Sequence, residues 1–180
     1  MTMASRILRI GTVSVLAILF SSGIAAAQQQ RGGQAESSMA SRLQRLEDLE
    51  EIRTLLLDYG RLLDSRDLAA YSKLFAKEGE WVGGFGTAKG PAAILEFMQK
   101  NLGTGPNRTN TYHILSNFEI VVNGDSATAW SRWTFIVPGA DGKPTLSQAG
   151  RYDDLLIRED GRWKFKRRTA SNDIPNPATK

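Results

Sequence analysis

Cysteine is absent from all 180 residues, and histidine occurs once, as His113. Without cysteine there is no disulfide framework, no thiol nucleophile and no thiolate metal site. A single histidine with no clustered carboxylate triplet gives no ligand set for a metal ion, so neither a metal nor a cofactor is expected. A phosphate-cradling loop is missing too: Gly83-Gly84-Phe85-Gly86 lacks the lysine and the following helix of a P-loop. An excess of one charge is also lacking. The formal charge is +4, from 23 basic and 19 acidic residues. That balance argues against a nucleic-acid partner or an anionic surface. The locally basic Lys164, Lys166, Arg167 and Arg168 read as a solvated strand face.

Long hydrophobic runs are limited to one, Ile10 to Phe20, interrupted only by Gly, Thr and Ser. Arg6 and Arg9 precede it, and Ala25-Ala26-Ala27 follows with small residues where signal peptidase reads. Residues 1–27 therefore read as a bacterial export signal cleaved before Gln28. The competing reading is an uncleaved anchor helix, for which the run is short and its flanks are wrong. Removing Arg6 and Arg9 lowers the formal charge to +2. A periplasmic or secreted location follows, with no stable membrane anchor after cleavage.

Residues 28–40, QQQRGGQAESSMA, are too polar to bury themselves and read as a flexible lead-in. Ser41 is then an N-cap candidate. Leu43, Leu46, Leu49, Ile52, Leu56, Tyr59 and Leu63 recur at spacings of three and four, which predicts one amphipathic helix with a core-facing stripe. Asp64 lies one residue beyond that stripe, in a corner, where a carboxylate drawn inward needs a partner. Asp67 caps a short second helix, with Leu68, Tyr71, Leu74 and Phe75 facing inward. Residues 79–82 read as a strand and 83–86 as a loop. Gly90-Pro91 opens a third helix, proline standing where its missing N–H costs nothing.

The second half reads as strands. Thr111 to Val122 runs into Asn123-Gly124, a type I′ hairpin signal. Ser126 to Val137 pairs back, with Ala127, Ala129, Ser131, Trp133, Phe135 and Val137 on one face. Turns at residues 138–144 and 159–161 separate two more strands, over 146–158 and 162–170. The domain is expected over 41–170, and residues 171–180 as a flexible tail. Helices followed by a hairpin-linked sheet give an α+β class.

Several residues together resemble a family. They are Tyr59, the corner Asp64-Ser65-Arg66-Asp67, Leu74-Phe75, Gly90, His113 with Asn117, and Asn123-Gly124-Asp125-x-Ala127. Gly150-x-Tyr152-x-Asp154 and Gly161-Arg162-Trp163 complete the series. Their order and spacing resemble the SnoaL-like branch of the nuclear-transport-factor-2-like superfamily, from about Arg42 to Thr169. The resemblance implies a cone-shaped, curved antiparallel sheet wrapped around three N-terminal helices, with an internal pocket, often in a homodimer. It implies no single activity, since members include dehydratases, ketosteroid isomerases, polyketide cyclases, epoxide hydrolases and non-catalytic binders.

Asp64 and His113 match an aspartate and a histidine that serve in scytalone-dehydratase-like members. An imidazole near neutrality takes or delivers a proton, and a carboxylate behind it fixes its tautomer. A buried histidine bonded to a structural aspartate is the competing reading. The chain also departs from those members. Gly139 stands near their second histidine, and Gly83 near their substrate-binding tyrosine and near the isomerases' basic aspartate. Tyr59 reads first as core and second as a hydroxyl donor to a ligand. Trp81, Phe85, Trp133 and Phe135 would make an aromatic wall for a flat ligand, or simply core. Asn117 shares strand parity with His113 unless a bulge intervenes. Arg167 has the parity of Trp163 and Phe165, and so reaches inward to a ligand or pairs with Asp154. Trp130, on the polar face of its strand, points to a homodimer surface. Asn107-Arg108-Thr109 fits the glycosylation pattern.

Two functions compete on this reading. One is a cofactor-free lyase or isomerase acting on a small apolar or aromatic molecule. The other is a non-catalytic domain that binds a hydrophobic small molecule. The export reading makes a direct prediction. N-terminal sequencing of exported protein should begin at or within a few residues of Gln28, and an intact Met1 would refute it.

Overall fold

The computed structural model describes residues 13–105 and 110–175, with side chains from residue 36 onward. Two units are distinguished, Met1–Gln44 and Arg45–Lys180. Helix α1 spans Val13–Ser65, α2 Leu68–Ser72 and α3 Pro91–Leu102. The strands are β1 Phe75–Gly83, β2 Gly86–Lys89, β3 Tyr112–Asn123, β4 Ser126–Pro138, β5 Pro144–Glu159 and β6 Arg162–Ile174. The class is α+β, with one six-stranded sheet in the order β2-β1-β6-β5-β4-β3. Only the β1–β6 pairing is parallel. Among the described residues no helix is long and apolar enough to cross a membrane. The Asn107-Arg108-Thr109 triplet and the start of the segment expected to be an export signal lie outside the described residues.

Several boundaries differ from the sequence reading. The helix does not begin at Ser41; it already runs through residues 28–40, where no proline interrupts the backbone ladder. Ser41 Oγ donates to Ser37 O at 2.9 Å inside the helix instead of capping it. Leu43 and Leu46, the first members of the stripe, are exposed, and burial starts at Asp48 and Ile52. At that point the β5–β6 hairpin reaches the helix. Arg158 Nη2 donates to Asp48 at 2.5 Å, and Arg162 Nε donates to Glu51 at 2.7 Å. Strand β1 begins at Phe75, which the helical spacing had placed in α2, and pairs with β2 across the glycine turn. Strand β6 continues past residue 170 to Ile174, because Asp173 is held by Arg132 at 2.7 Å and by Arg151.

The helices α1 to α3 and the inward face of the sheet share one core. It contains Ile52, Leu56, Tyr59, Tyr71, Phe75, Trp81, Ile94, Trp133, Tyr152, Leu156 and Phe165. One row across the sheet is not apolar. Ala129, Asp154, Arg168 and Trp81 stand opposite one another on β4, β5, β6 and β1. Arg168 donates to Asp154 through Nε at 2.7 Å and Nη2 at 2.6 Å, with both side chains fully buried. Its guanidinium lies 3.9, 4.1 and 4.2 Å from the ring centroids of Tyr59, Tyr152 and Phe165. Burial works against the guanidinium charge, but the Asp154 carboxylate outweighs it and holds the pKa above its ordinary value. Burial also pushes the Asp154 carboxyl up, with Arg168 pulling the other way.

Gly150 shows how tightly this sheet is wrapped. A Cβ there would stand 2.0 Å from Ser171 O and 2.7 Å from the Trp133 ring. The carbonyl belongs to backbone and cannot step aside. Gly150→Ala should therefore destabilise the domain by about 1–3 kcal/mol. Urea denaturation measures this, and an unchanged midpoint would show that the strands separate freely at that point.

Candidate functional site

Asp64 closes the last turn of α1. The chain then turns through Arg66, at φ 62°, whose N–H donates to Leu63 O at 3.2 Å. Asp67 accepts from Ala70 N at 3.0 Å and starts α2, as its type and position predict. One turn before Asp64, Gly60 shares its helix face. A Cβ at Gly60 would meet Leu115 Cδ1 at 2.8 Å and His113 Cβ at 3.9 Å. The missing side chain lets β3 lie against α1, which brings His113 to Asp64.

The contact is double. The His113 backbone N–H donates to Asp64 Oδ2 at 2.7 Å, and His113 Nδ1 lies 2.7 Å from Asp64 Oδ1. With the carboxylate ionised, that second contact requires the proton on Nδ1, so in the neutral imidazole the lone pair lies on Nε2. The backbone bond fixes Asp64 and the ring bond fixes the imidazole plane. Phe135 packs on the ring with centroids 4.7 Å apart, and Trp133 lies at 6.2 Å. The pair is partly open to solvent, its side chains 16% and 19% exposed. A base oriented by a carboxylate, next to apolar rings and within reach of solvent, can take a proton from a bound molecule and return it.

The other predicted site residues divide. Trp133 and Phe135 join His113 on the inward face. Tyr59 and Trp81 lie in the core. Both are buried, and Trp81 Nε1 donates to Tyr59 Oη at 2.9 Å, which gives the indole N–H its partner. Phe85 is no wall residue, being 67% exposed at the β1–β2 turn, where the chain reverses away from the core. Asn117 is turned outward. It is the extra residue of a bulge between Ser116 and Glu119, at φ 54°, so inward parity passes to Phe118, Ile120 and Val122. Arg167 is exposed, 3.4 Å from Glu80. A second bulge, at Lys166, moves the inward position to Arg168, which makes the pair with Asp154 expected of Arg167.

The departures at Gly83 and Gly139 have structural counterparts. The Trp81 ring covers Gly83, where a Cβ would meet Cη2 at 2.5 Å. Gly139 sits in the β4–β5 turn, its N–H donating to Lys143 O at 2.8 Å. Among the described residues no group of His, Asp and Glu is placed to hold a metal ion. Gly60 was missed by the sequence reading, and Arg168, read there as part of a solvated strand face, is fully buried. A lone glycine inside a helical stripe, where alanine would be about 1 kcal/mol better, was the available sign for the first. No sequence sign located the bulge that selects Arg168.

Comparison with known proteins agrees with this architecture. The SnoaL-like domain family model matches residues 44–169. An NTF2-like protein with a cystatin-like fold from Novosphingobium aromaticivorans is 32% identical, with a TM-score of 0.68 over 78% of this chain and 91% of its own. LinA is 26% identical, with a TM-score of 0.63 over 74% of this chain and 90% of its own. A putative scytalone dehydratase from N. aromaticivorans is also 26% identical, with a TM-score of 0.59 over 71% and 85%. No curated protein matches the sequence.

Proposed function

Because the chain belongs to the SnoaL-like family of the NTF2-like superfamily, we propose that it is an exported, cofactor-free acid–base enzyme acting on a small apolar or aromatic molecule. The observation that carries the reading is the pair of hydrogen bonds that Asp64 accepts from the backbone and the ring of His113. Nε2 takes a proton from a carbon beside a carbonyl, and the C–H electron pair becomes part of a new double bond. In a dehydration the imidazolium returns that proton to the departing hydroxyl, which leaves as water. In an isomerisation it returns the proton to another carbon. Asp64 stays ionised and stabilises the imidazolium while it lasts.

Mass spectrometry of ligand retained by the purified protein names the compound to assay. Turnover of that compound should fall by about 100-fold or more in His113→Ala and in Asp64→Asn. The double variant should cost little more than the worse single one, as expected of residues acting as a unit. Additive losses, or full activity in either single variant, would refute the dyad.

The second reading, a non-catalytic binder, is favoured by the Trp81 ring over Gly83 and by the turn at Gly139, where dehydratase-like members hold further machinery. On that reading the same variants lower stability and leave turnover absent throughout.

We also propose a homodimer formed through the outer sheet face. A groove of about 490 Å³ there includes Glu119, Val121, Trp130, Asp153, Leu155 and Arg167. Val121 and Leu155 are exposed, and Arg132 stacks on Trp130 at 5.2 Å. Apolar groups among both signs of charge suit a self-complementary contact. Light scattering should give twice the monomer mass at micromolar concentration, and the monomer mass in Val121→Glu. A monomeric wild-type protein would overturn the dimer.

A further inference from the structure

Helix α1 carries a second stripe, on its exposed side. Leu46 belongs by spacing to the buried series yet is 63% exposed, and Leu57, outside that series, is 47% exposed. Between them Arg53 Nη1 donates to Glu50 Oε2 at 2.9 Å, both side chains being open to solvent. At the helical repeat, positions 46, 50, 53 and 57 fall within a strip about 60° wide.

The order along this strip is Leu46-x-x-x-Glu50-x-x-Arg53-x-x-x-Leu57. The spacings of four, three and four read the same from either end, and only the sign of the charge changes. Such a strip complements its own copy turned end for end. Suppose two copies of α1 lie antiparallel across a two-fold axis midway between Glu50 and Arg53. Leu46 then meets Leu57 of the second copy, Glu50 meets its Arg53, and each contact occurs twice. A parallel pairing would set Glu50 against Glu50 and Arg53 against Arg53, so charge selects the antiparallel one. An unrelated apolar partner would require no such symmetry.

We propose that the exposed face of α1 is a self-association surface, on which a second copy of this chain docks antiparallel through Leu46, Glu50, Arg53 and Leu57. It is separate from the sheet groove, whose residues lie on β3, β4, β5 and β6. Together the two contacts would join sheet-paired dimers into larger assemblies. The helix contact is the weaker one. Four side chains a side cover far less than the roughly 800 Å² per partner of a standard interface, and exposed ion pairs add little. Association is therefore expected at about 0.1 mM.

Sedimentation velocity of the purified protein in a Val121→Glu background, which removes the sheet contact, reads the helix contact alone. Between about 10 µM and 1 mM the protein should pass from monomer to dimer. Arg53→Glu gathers four carboxylates around the axis and should weaken association at least about tenfold, and Glu50→Arg should act alike with four guanidiniums. The combined change, Glu50→Arg with Arg53→Glu, restores alternating charge and should return the affinity to within about threefold. Leu57→Asp should abolish the dimer. These positions are exposed, so the variants should fold normally, as near-ultraviolet circular dichroism checks; should Leu57→Asp not fold, the charge series decides alone. The absence of cysteine allows orientation to be read directly. Chains carrying Leu46→Cys and chains carrying Leu57→Cys, mixed under mild oxidation, should give the mixed disulfide far more than either symmetric one. A monomer throughout the concentration range, an association indifferent to the charge series, or a preference for the symmetric disulfides would each overturn the proposal.

Discussion

The paired charges of Arg168 and Asp154 are the constraint to which most of the domain's interior answers. Both are fully buried, and they face each other across β5 and β6. Two ions in such a place are tolerable only with close geometry and satisfied hydrogen bonds, and removing one partner of a buried pair costs about 3–5 kcal/mol. The two short bonds from Nε and Nη2 meet the geometric condition. The stacked rings of Tyr59, Tyr152 and Phe165 exclude water around the pair and tie α1 to β5 and β6 through one guanidinium. The register of β5 against β6 is thereby set twice, by backbone bonds and by a side-chain pair that only one register allows.

That register governs what happens at the other end of the sheet. With Asp154 opposite Ala129, Tyr152 stands opposite Ser131 and Gly150 opposite Trp133. Gly150 leaves room for the Trp133 indole, which in turn lies beside His113. Gly60 provides the matching gap on α1, so the last helical turn lies against β3 and presents Asp64 to His113. Two glycines lacking a side chain thus do as much to assemble the dyad as the two residues that form it. Neither is in a turn; each is a close approach of elements.

Much of this was legible beforehand. The helical stripe around Ile52, Leu56, Tyr59 and Leu63, the Asp67 cap, the Gly90-Pro91 helix start and the Asn123-Gly124 hairpin all rest on local chemistry, which the fold leaves intact. The pairing of Asp64 with His113, 49 positions apart, was legible only through the family resemblance. Three placements failed for one reason: parity counts residues, and a bulge adds one. Asn117 turned outward, Arg167 went to Glu80, and Arg168 took the inward position. Phe85 failed differently, since aromatic character does not say whether a turn tip folds back or points away.

The sequence by itself determined the elements other than β2 and the first part of α1, their order, the α+β class and the chemistry available to a site, because caps, turns and hydrophobic spacing act within a few residues. It likewise determined that thiol chemistry is unavailable, since cysteine is absent. The tertiary structure decided which cation of β6 is buried and which aromatic residues meet the histidine. Those outcomes depend on where the β3–β4 and β5–β6 ladders each slip by one residue. A slip of that kind is stabilised by packing across several strands at once and leaves no local mark in the chain.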